Sequence, residues 1–307
     1  MDDALGVWGV PLALLGGALR VSTPFIFVSL GECWIERSGR INLGLEGTLV
    51  LGAMAGYGVS LLSGSPWLGV LAAGAVGALF GVVHAGLCSL PRVNDIAVGI
   101  ALMVLGLGLA FFLGKPLIQP SAPRLPAVPV GFWSDVPQVR SALEVNALLF
   151  IGAALCLLSS LVLARTRLGL VVRTVGESVE AARALGISVL RVRLGVTVWG
   201  GFLAGVGGSF LSLYYPGSWN EGLSSGQGLM AVALVIFARW NPTHCLFASL
   251  LFGGASSLGP ALQSVGISDG YYLFNAAPYA LTLLIMVASS SATQTSAHQP
   301  RELGAAR

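Results

Sequence analysis

Nine apolar runs separated by short polar connections restrict this chain to one solvent. The runs lie near residues 9–31, 45–63, 67–90, 95–113, 143–164, 194–215, 227–239, 244–264 and 273–290. A bilayer hydrocarbon core of ~30 Å takes ~20 apolar residues in helical form, and all but the run at 227–239 approach that length. Backbone polar groups find no water inside a bilayer, so a spanning segment of this kind must satisfy itself as a helix. The expectation is an all-α polytopic membrane protein of about nine transmembrane helices, within a range of eight to ten. The short run is expected to borrow from the preceding loop or to enter as a tilted, re-entrant or broken helix. Charged residues make up 9% of the chain, against roughly 25% in a soluble domain, too few to cover a water-facing surface. Residues 1–290 read as a single transmembrane domain. Residues 291–307, rich in Ser, Thr, Ala and Gln, read as a disordered cytoplasmic tail.

The charges orient this bundle. Arg165, Arg167, Arg173, Arg183, Arg191 and Arg193 are six of the 16 Lys and Arg, and they crowd one connection. Arg-rich loops beside spans stay cytoplasmic. That rule places Arg92, the Glu32–Glu46 segment, Arg239 and Arg301 inside, with residues 114–142 and the amino terminus bearing Asp2 and Asp3 outside. Pro116, Pro120, Pro123, Pro126, Pro129 and Pro137 mark the outer loop as an ordered, non-helical cap with little room to move. A net charge of only +3, spread over short loops, favours orientation in membrane lipid over a nucleic-acid partner, and none is expected. Met1-Asp-Asp lacks the basic start of a cleavable signal.

Two polar stretches carry the functional information. In the Arg-rich connection, Gly176-Glu-Ser-Val-Glu-Ala-Ala-Arg-Ala-Leu-Gly186 reads as a short helix. Ser178 is its N-cap, Glu180 lies in its first turn, and Gly186 takes the left-handed position after it. Such a helix beneath a bundle suits the receipt of force from a soluble motor; equally, the stretch reads as a connection that merely obeys the charge rule. The second stretch, Gly31 to Gly47, sets Glu32, Glu36, Arg37, Arg40, Asn42 and Glu46 between two apolar runs. Gly39, Gly44 and Gly47 permit a sharp non-helical path. It reads either as a broken element lining a translocation path or as a short loop with solvated charges. Asn42 and Glu46, with Asn94 at the start of the fourth run, are the candidate path-lining groups, able to hydrogen-bond a polar solute in a dry bundle. Asp95 either caps that fourth helix or faces a cavity, and capping is the cheaper explanation.

Bond-making chemistry finds no support. Leu223-Ser-Ser-Gly-Gln227 matches the ATPase signature of ABC proteins by accident. No phosphate-cradling Gly-x-x-x-x-Gly-Lys loop accompanies it, and Gly114-Lys115 is followed by Pro116. With Trp219, Asn220 and Glu221 it reads instead as a polar external lip. Cys33, Cys88, Cys156 and Cys245 are dispersed and read as small core residues. His84, His244 and His298 lack a second histidine at i+3 or i+4. The chain is expected to be neither an enzyme nor the holder of a metal or cofactor.

Four segments resemble the inner-membrane permease subunits of bacterial ABC importers. They are Glu36-Arg-Ser-Gly-Arg-Ile-Asn-Leu-Gly-Leu-Glu-Gly47, Asn94-Asp-Ile-Ala-Val-Gly99, Arg173 to Ile187, and Ala231-Val-Ala-Leu-Val-Ile-Phe237. The resemblance runs over roughly residues 20–290 and is nearest to the nucleoside and simple-sugar branch of the ribose and branched-chain amino-acid permeases. It implies a subunit of a multi-pass cytoplasmic-membrane importer that moves a nucleoside or sugar inward by alternating access. The implied partners are two ATP-binding-cassette ATPase domains, a second homologous permease (often as a heterodimer) and an extracytoplasmic solute-binding protein. Gly176, Glu177, Ser178, Glu180, Ala181, Ala182 and Gly186 would then form the coupling helix in an ATPase groove. Arg239-Trp-Asn-Pro replaces a more glycine-rich turn of such relatives, and Cys33 and Trp34 replace smaller residues. The alternative is a secondary transporter driven by an ion gradient, which calls for deep charges and two similar halves.

Overall fold

The computed structural model describes residues 9–264, 270, 273–274, 276–289 and 299–305. In chain order the principal helices are α1 (Gly9–Arg37), α2 (Leu45–Ser63), α3 (Pro66–Cys88), α4 (Asp95–Gly114), α5 (Pro137–Ala142), α6 (Ala147–Arg165), α7 (Arg167–Glu177), α8 (Val179–Ala184), α9 (Val189–Leu213), α10 (Gln227–Phe237) and α11 (Pro242–Ser264). Seven of them, α1, α2, α3, α4, α6, α9 and α11, are long and apolar enough to cross a bilayer. The short run at 227–239 is the 11-residue α10. The ninth run is described as the helix Ala277–Ser289, with its first residues partly outside the described set.

Local chemistry sets the boundaries. Asn94 caps α4 by accepting from the backbone N–H groups of Ile96 and Ala97, and Asn146 and Thr166 do the same for α6 and α7. Each cap satisfies a donor that a helix start would otherwise strand. Pro66 opens α3, where its missing N–H costs nothing.

α2 and α9 form the centre, packed against α1 and α3, with α4, α6 and α11 outside them. α3 and α9 meet backbone to backbone: a Cβ on Gly205 would stand 2.0 Å from the Ala73 carbonyl oxygen, and one on Gly201 2.3 Å from that of Gly77. Small residues allow this approach, which replaces side-chain interdigitation with close main-chain contact. α4 buries a single stripe, Gly99, Leu102, Gly106, Ala110 and Gly114, against α2 and its neighbours. Its other flanks present Ile100, Val104, Leu105 and Phe112 outward, the surface lipid would cover.

The bundle has an arginine-rich end, holding Arg37, Asp95 and residues 165–193, and an opposite end holding the 114–146 connection. That connection is less uniform than its prolines imply, since it includes the α5 helix and an antiparallel ribbon pairing β1 (Ala127–Pro129) with β2 (Glu144–Asn146). It is tied down at several points. The Tyr57 hydroxyl donates to the Pro120 carbonyl and that of Ser60 to the Pro123 carbonyl. The Leu125 N–H bonds the Leu213 carbonyl, and Asn146 Nδ2 bonds that of Pro126.

Of the expected disordered tail, residues 291–298 and 306–307 lie outside the described residues, as do Met1–Asp3 and His298. Its described portion is ordered: Arg301–Ala305 forms a helix at the arginine-rich end, held by contacts that composition does not reveal. A second element that the sequence does not announce is α7. It buries Gly169, Val172, Val175 and Gly176 on one side, a helical spacing hidden among arginines.

Candidate functional site

α1 stops where Gly39 takes a φ of +81°, and residues 38–44 then run back into the bundle without helical structure. On this path Arg40 pairs with Asp95. The Asn42 N–H donates to Glu32 Oε1 at 2.8 Å, and Asn42 Oδ1 accepts from the Gly44 N–H at 2.9 Å. α2 therefore begins below the surface. A Cβ on Gly47 would meet the backbone of Leu102 and Met103, and one on Gly106 that of Gly47. Those α4 positions lie ~10–16 Å along the helix from Asp95 at ~1.5 Å per residue.

At that depth the half-length helix α10 also starts. Glu46 is 5% exposed. Its Oε1 accepts from the Ser224 hydroxyl at 2.5 Å and the Gly226 N–H at 3.1 Å, and its Oε2 accepts from the Gly228 N–H at 2.6 Å. A carboxylate at a helix N-terminus meets stranded N–H donors and the positive end of the helix dipole. α10 then descends to the arginine-rich end. There Trp240 Nε1 donates to Glu36 Oε2 at 2.5 Å and Arg37 Nε donates to the Trp240 carbonyl at 2.7 Å. A broken strand of chain and a half-helix thus lie beside each other, joined at both ends by polar groups.

Of the two readings of the Gly31–Gly47 stretch, this geometry matches the broken element. Glu36 is buried, not solvated, as are Glu32, Asn42 and Asp95. Among the described residues, Glu32 Oε2, Asp95 Oδ2, Trp34 Nε1 and Gln227 Oε1 are buried without a hydrogen-bond partner. Such atoms are costly in a dry interior and are the groups a polar solute or water would satisfy. Gln227 belongs to the stretch read as an external lip, yet its Oε1 is enclosed at the start of α10; the signal for this is the polar Ser-Ser-Gly-Gln just before an apolar run too short to span.

The three path candidates separate. Asn42 and Glu46 lie in the interior. Asn94 stands at the arginine-rich end as the α4 cap and lines an open cleft of about 190 Å³ with Arg40, Asp95, Arg193 and Glu302. Asp95 is the partner of Arg40, so capping falls to its neighbour. The external-lip reading fails at two residues: Trp219 is buried with Nε1 bonded to the Gly114 carbonyl, and Ser224 is buried on Glu46. Both read as surface because the aromatic and hydroxyl types are common at interfaces, whereas here the loop dips inward to start α10.

Residues 176–186 form the end of α7, then α8. The Ser178 hydroxyl oxygen accepts from the Ala181 N–H, and Gly186 adopts φ +74°. Glu177, Glu180, Ala181, Arg183, Ala184, Leu185 and Gly186 are exposed. Ala182, however, is 0% exposed and turns toward its own bundle, and a Cβ on Gly176 would lie 2.1 Å from the Arg37 carbonyl oxygen. Those two small residues serve close packing within the chain.

Arg239 and Trp240 occupy left-handed φ values of 50° and 55°, a region that glycine enters without cost and bulkier residues rarely adopt. Here the Trp240 bonds to Glu36 and Arg37 hold the conformation, and Cys33 packs beside Trp240, Val235 and Cys245. Among the described residues no group of three His, Cys, Asp or Glu is placed to hold a metal ion.

A protein family described as the permease component of branched-chain amino acid transport systems matches residues 14–290. The putative glucose ABC transporter permease protein TsgC13 of Haloferax volcanii is 34% identical over 260 residues, covering 83% of this chain and 79% of its own length. The guanosine ABC transporter permease protein NupQ of Bacillus subtilis is 32% identical over 299 residues, covering 89% and 90%. The nucleoside ABC transporter permease protein NupC of Lactococcus lactis subsp. cremoris is 31% identical over 292 residues, with the same coverage.

Proposed function

The chain belongs to the permease-component family of branched-chain amino acid transport systems, and from that premise we propose that it carries a nucleoside or a simple sugar into the cytoplasm. A separate ATPase pair drives alternating access from below, a second permease completes the pore, and a solute-binding protein delivers cargo from above. The names of its relatives, which specify guanosine, nucleoside or glucose, support this solute class. The membrane is the cytoplasmic membrane, with the arginine-rich end inward.

One observation carries the reading of the motor contact. α8 stands at the arginine-rich end with Ala182 turned inward and with Glu180, Ala181, Arg183, Ala184 and Leu185 outward, a narrow ridge of small and charged residues suited to a groove. The unpartnered oxygens of Glu32 and Gln227 offer a polar solute acceptors within the bundle, and the carboxylate of Glu46 anchors the helix start at which Gln227 stands.

Labelling tests the orientation. Phe132→Cys, at a site 78% exposed, should react with an impermeant maleimide in intact cells, and Glu180→Cys only after lysis. Reaction of position 180 from outside would reverse the topology and remove the motor contact. Uptake tests the solute and energy source. Proteoliposomes with the permease pair, ATPase and binding protein should accumulate nucleoside or glucose only with internal ATP. Uptake that survives ATP depletion and follows a sodium or proton gradient would establish the secondary transporter instead.

A further inference from the structure

The Arg301–Ala305 helix makes more long-range contacts than five residues need. Glu302 Oε1 accepts from the Val179 N–H, the first residue of α8, at 2.9 Å. Its Oε2 lies 3.6 Å from Arg193 Nη2, and Arg193 Nε donates to the Ser38 carbonyl at 3.1 Å. Ser38 directly follows α1 and begins the broken element. The next residue, Gly39, is so close that a Cβ there would stand 2.5 Å from Glu302 Cβ. Leu303 packs on the cluster of Cys33, Val235, Ala238, Trp240 and Cys245, which joins α1 to the turn after α10. Arg301 adds a loose, exposed approach to Glu177 at 3.8 Å, which contributes little.

Neither of the two short helices holds itself together. One and a half turns are too few to repay helix nucleation, so both α8 and Arg301–Ala305 owe their placement to what they touch. α8 is fixed to the bundle by the buried Ala182 and by its flanking chain. Its one further polar tie outside the 166–193 connection, among the described residues, is Glu302.

We infer that the Arg301–Ala305 helix is a strut of the permease and that Glu302 is a positioning residue, tying the start of α8 through Arg193 to the base of the broken element while Leu303 braces the end of α10. The inference rests on the reading of α8 as the helix that meets the ATPase. A push on α8 then reaches Ser38 through three polar links, by way of Glu302 and Arg193, and does not dissipate as a tilt of α8 alone. The strut contributes to how much transport each ATP yields, and little to whether the ATPase binds.

The test uses the complete transporter in proteoliposomes, with solute uptake and ATP hydrolysis measured together. Glu302→Ala, and separately removal of residues 300–307, should lower solute moved per ATP at least fivefold while the ATPase co-purifies at the wild-type ratio. Glu302→Gln keeps the acceptor for Val179 but loses the charge facing Arg193, and should fall between wild type and Glu302→Ala. An unchanged transport ratio in Glu302→Ala would overturn the strut, as would a loss fully accounted for by missing ATPase. Failure of the underlying reading shows elsewhere: Leu185→Glu would then bind ATPase and transport normally, whatever Glu302→Ala does.

Discussion

Glu46→Ala is expected to lower permease abundance and transport together. The substitution leaves the Ser224 hydroxyl and the Gly226 and Gly228 N–H groups without their shared acceptor. A buried donor left unsatisfied costs about 1–3 kcal/mol, so three of them amount to a large fraction of a fold stabilised by roughly 5–15 kcal/mol. Water entering the space recovers some of that. The start of α10 should loosen first, because Glu46 is what holds it beside α2. Glu46→Gln retains one carbonyl oxygen but turns an amide donor toward another donor, so it should recover only some of the loss. Fluorescence-detected size exclusion and uptake, measured on the same membranes, decide the matter. Normal abundance with abolished uptake would return Glu46 to a purely path-lining role.

The second large effect concerns α8, where one enclosed residue stands among exposed ones. Leu185 is 71% exposed and Ala182 fully enclosed. Leu185→Glu should leave the permease folded, since an added charge at that site remains in water. It should also weaken retention of the ATPase at least tenfold, about 1.4 kcal/mol, with uptake falling in step. Ala182→Glu differs in kind. It forces a carboxylate into a space that holds a methyl group, with no partner to offset desolvation, and should remove folded protein before any question of docking arises. Co-purification of the ATPase, normalised to folded permease, separates the two variants. Equal behaviour would mean that the ridge on α8 is not a contact surface.

Much of the architecture is legible in the sequence because it depends on short-range properties. Run lengths locate all seven helices long enough to span, among nine runs, and the shortness of the 227–239 run foretells a half-length helix. Polar residues mixed with Gly39, Gly44 and Gly47 mark a break, since glycine and ionisable groups rarely coexist between spans without one. What escapes depends on distant partners. Glu46 meets residues 178 to 182 positions away, and nothing local reveals that pairing. Ala182 looks like a docking residue because small side chains serve both a groove outside and a tight fit inside, and only tertiary placement distinguishes them. Trp219 and Ser224 look external because their types are common at interfaces, and only their distant partners Gly114 and Glu46 show otherwise. The α7 helix is obscured by its charges, although the spacing of Gly169, Val172 and Gly176 is there to be read.

The cap over residues 114–146 bears on how the opposite end of the bundle can open. Its ties reach Tyr57 and Ser60 on α2, the Leu213 carbonyl at the close of α9, and Asn146 at the head of α6. Each is an ordinary hydrogen bond of about 1 kcal/mol net, yet they act on a single stiff, proline-bearing piece. Three helices that could otherwise separate individually are thereby stapled to a common plate. Widening at this end must swing α2, α6 and α9 as a block or break the ties that hold them to the plate.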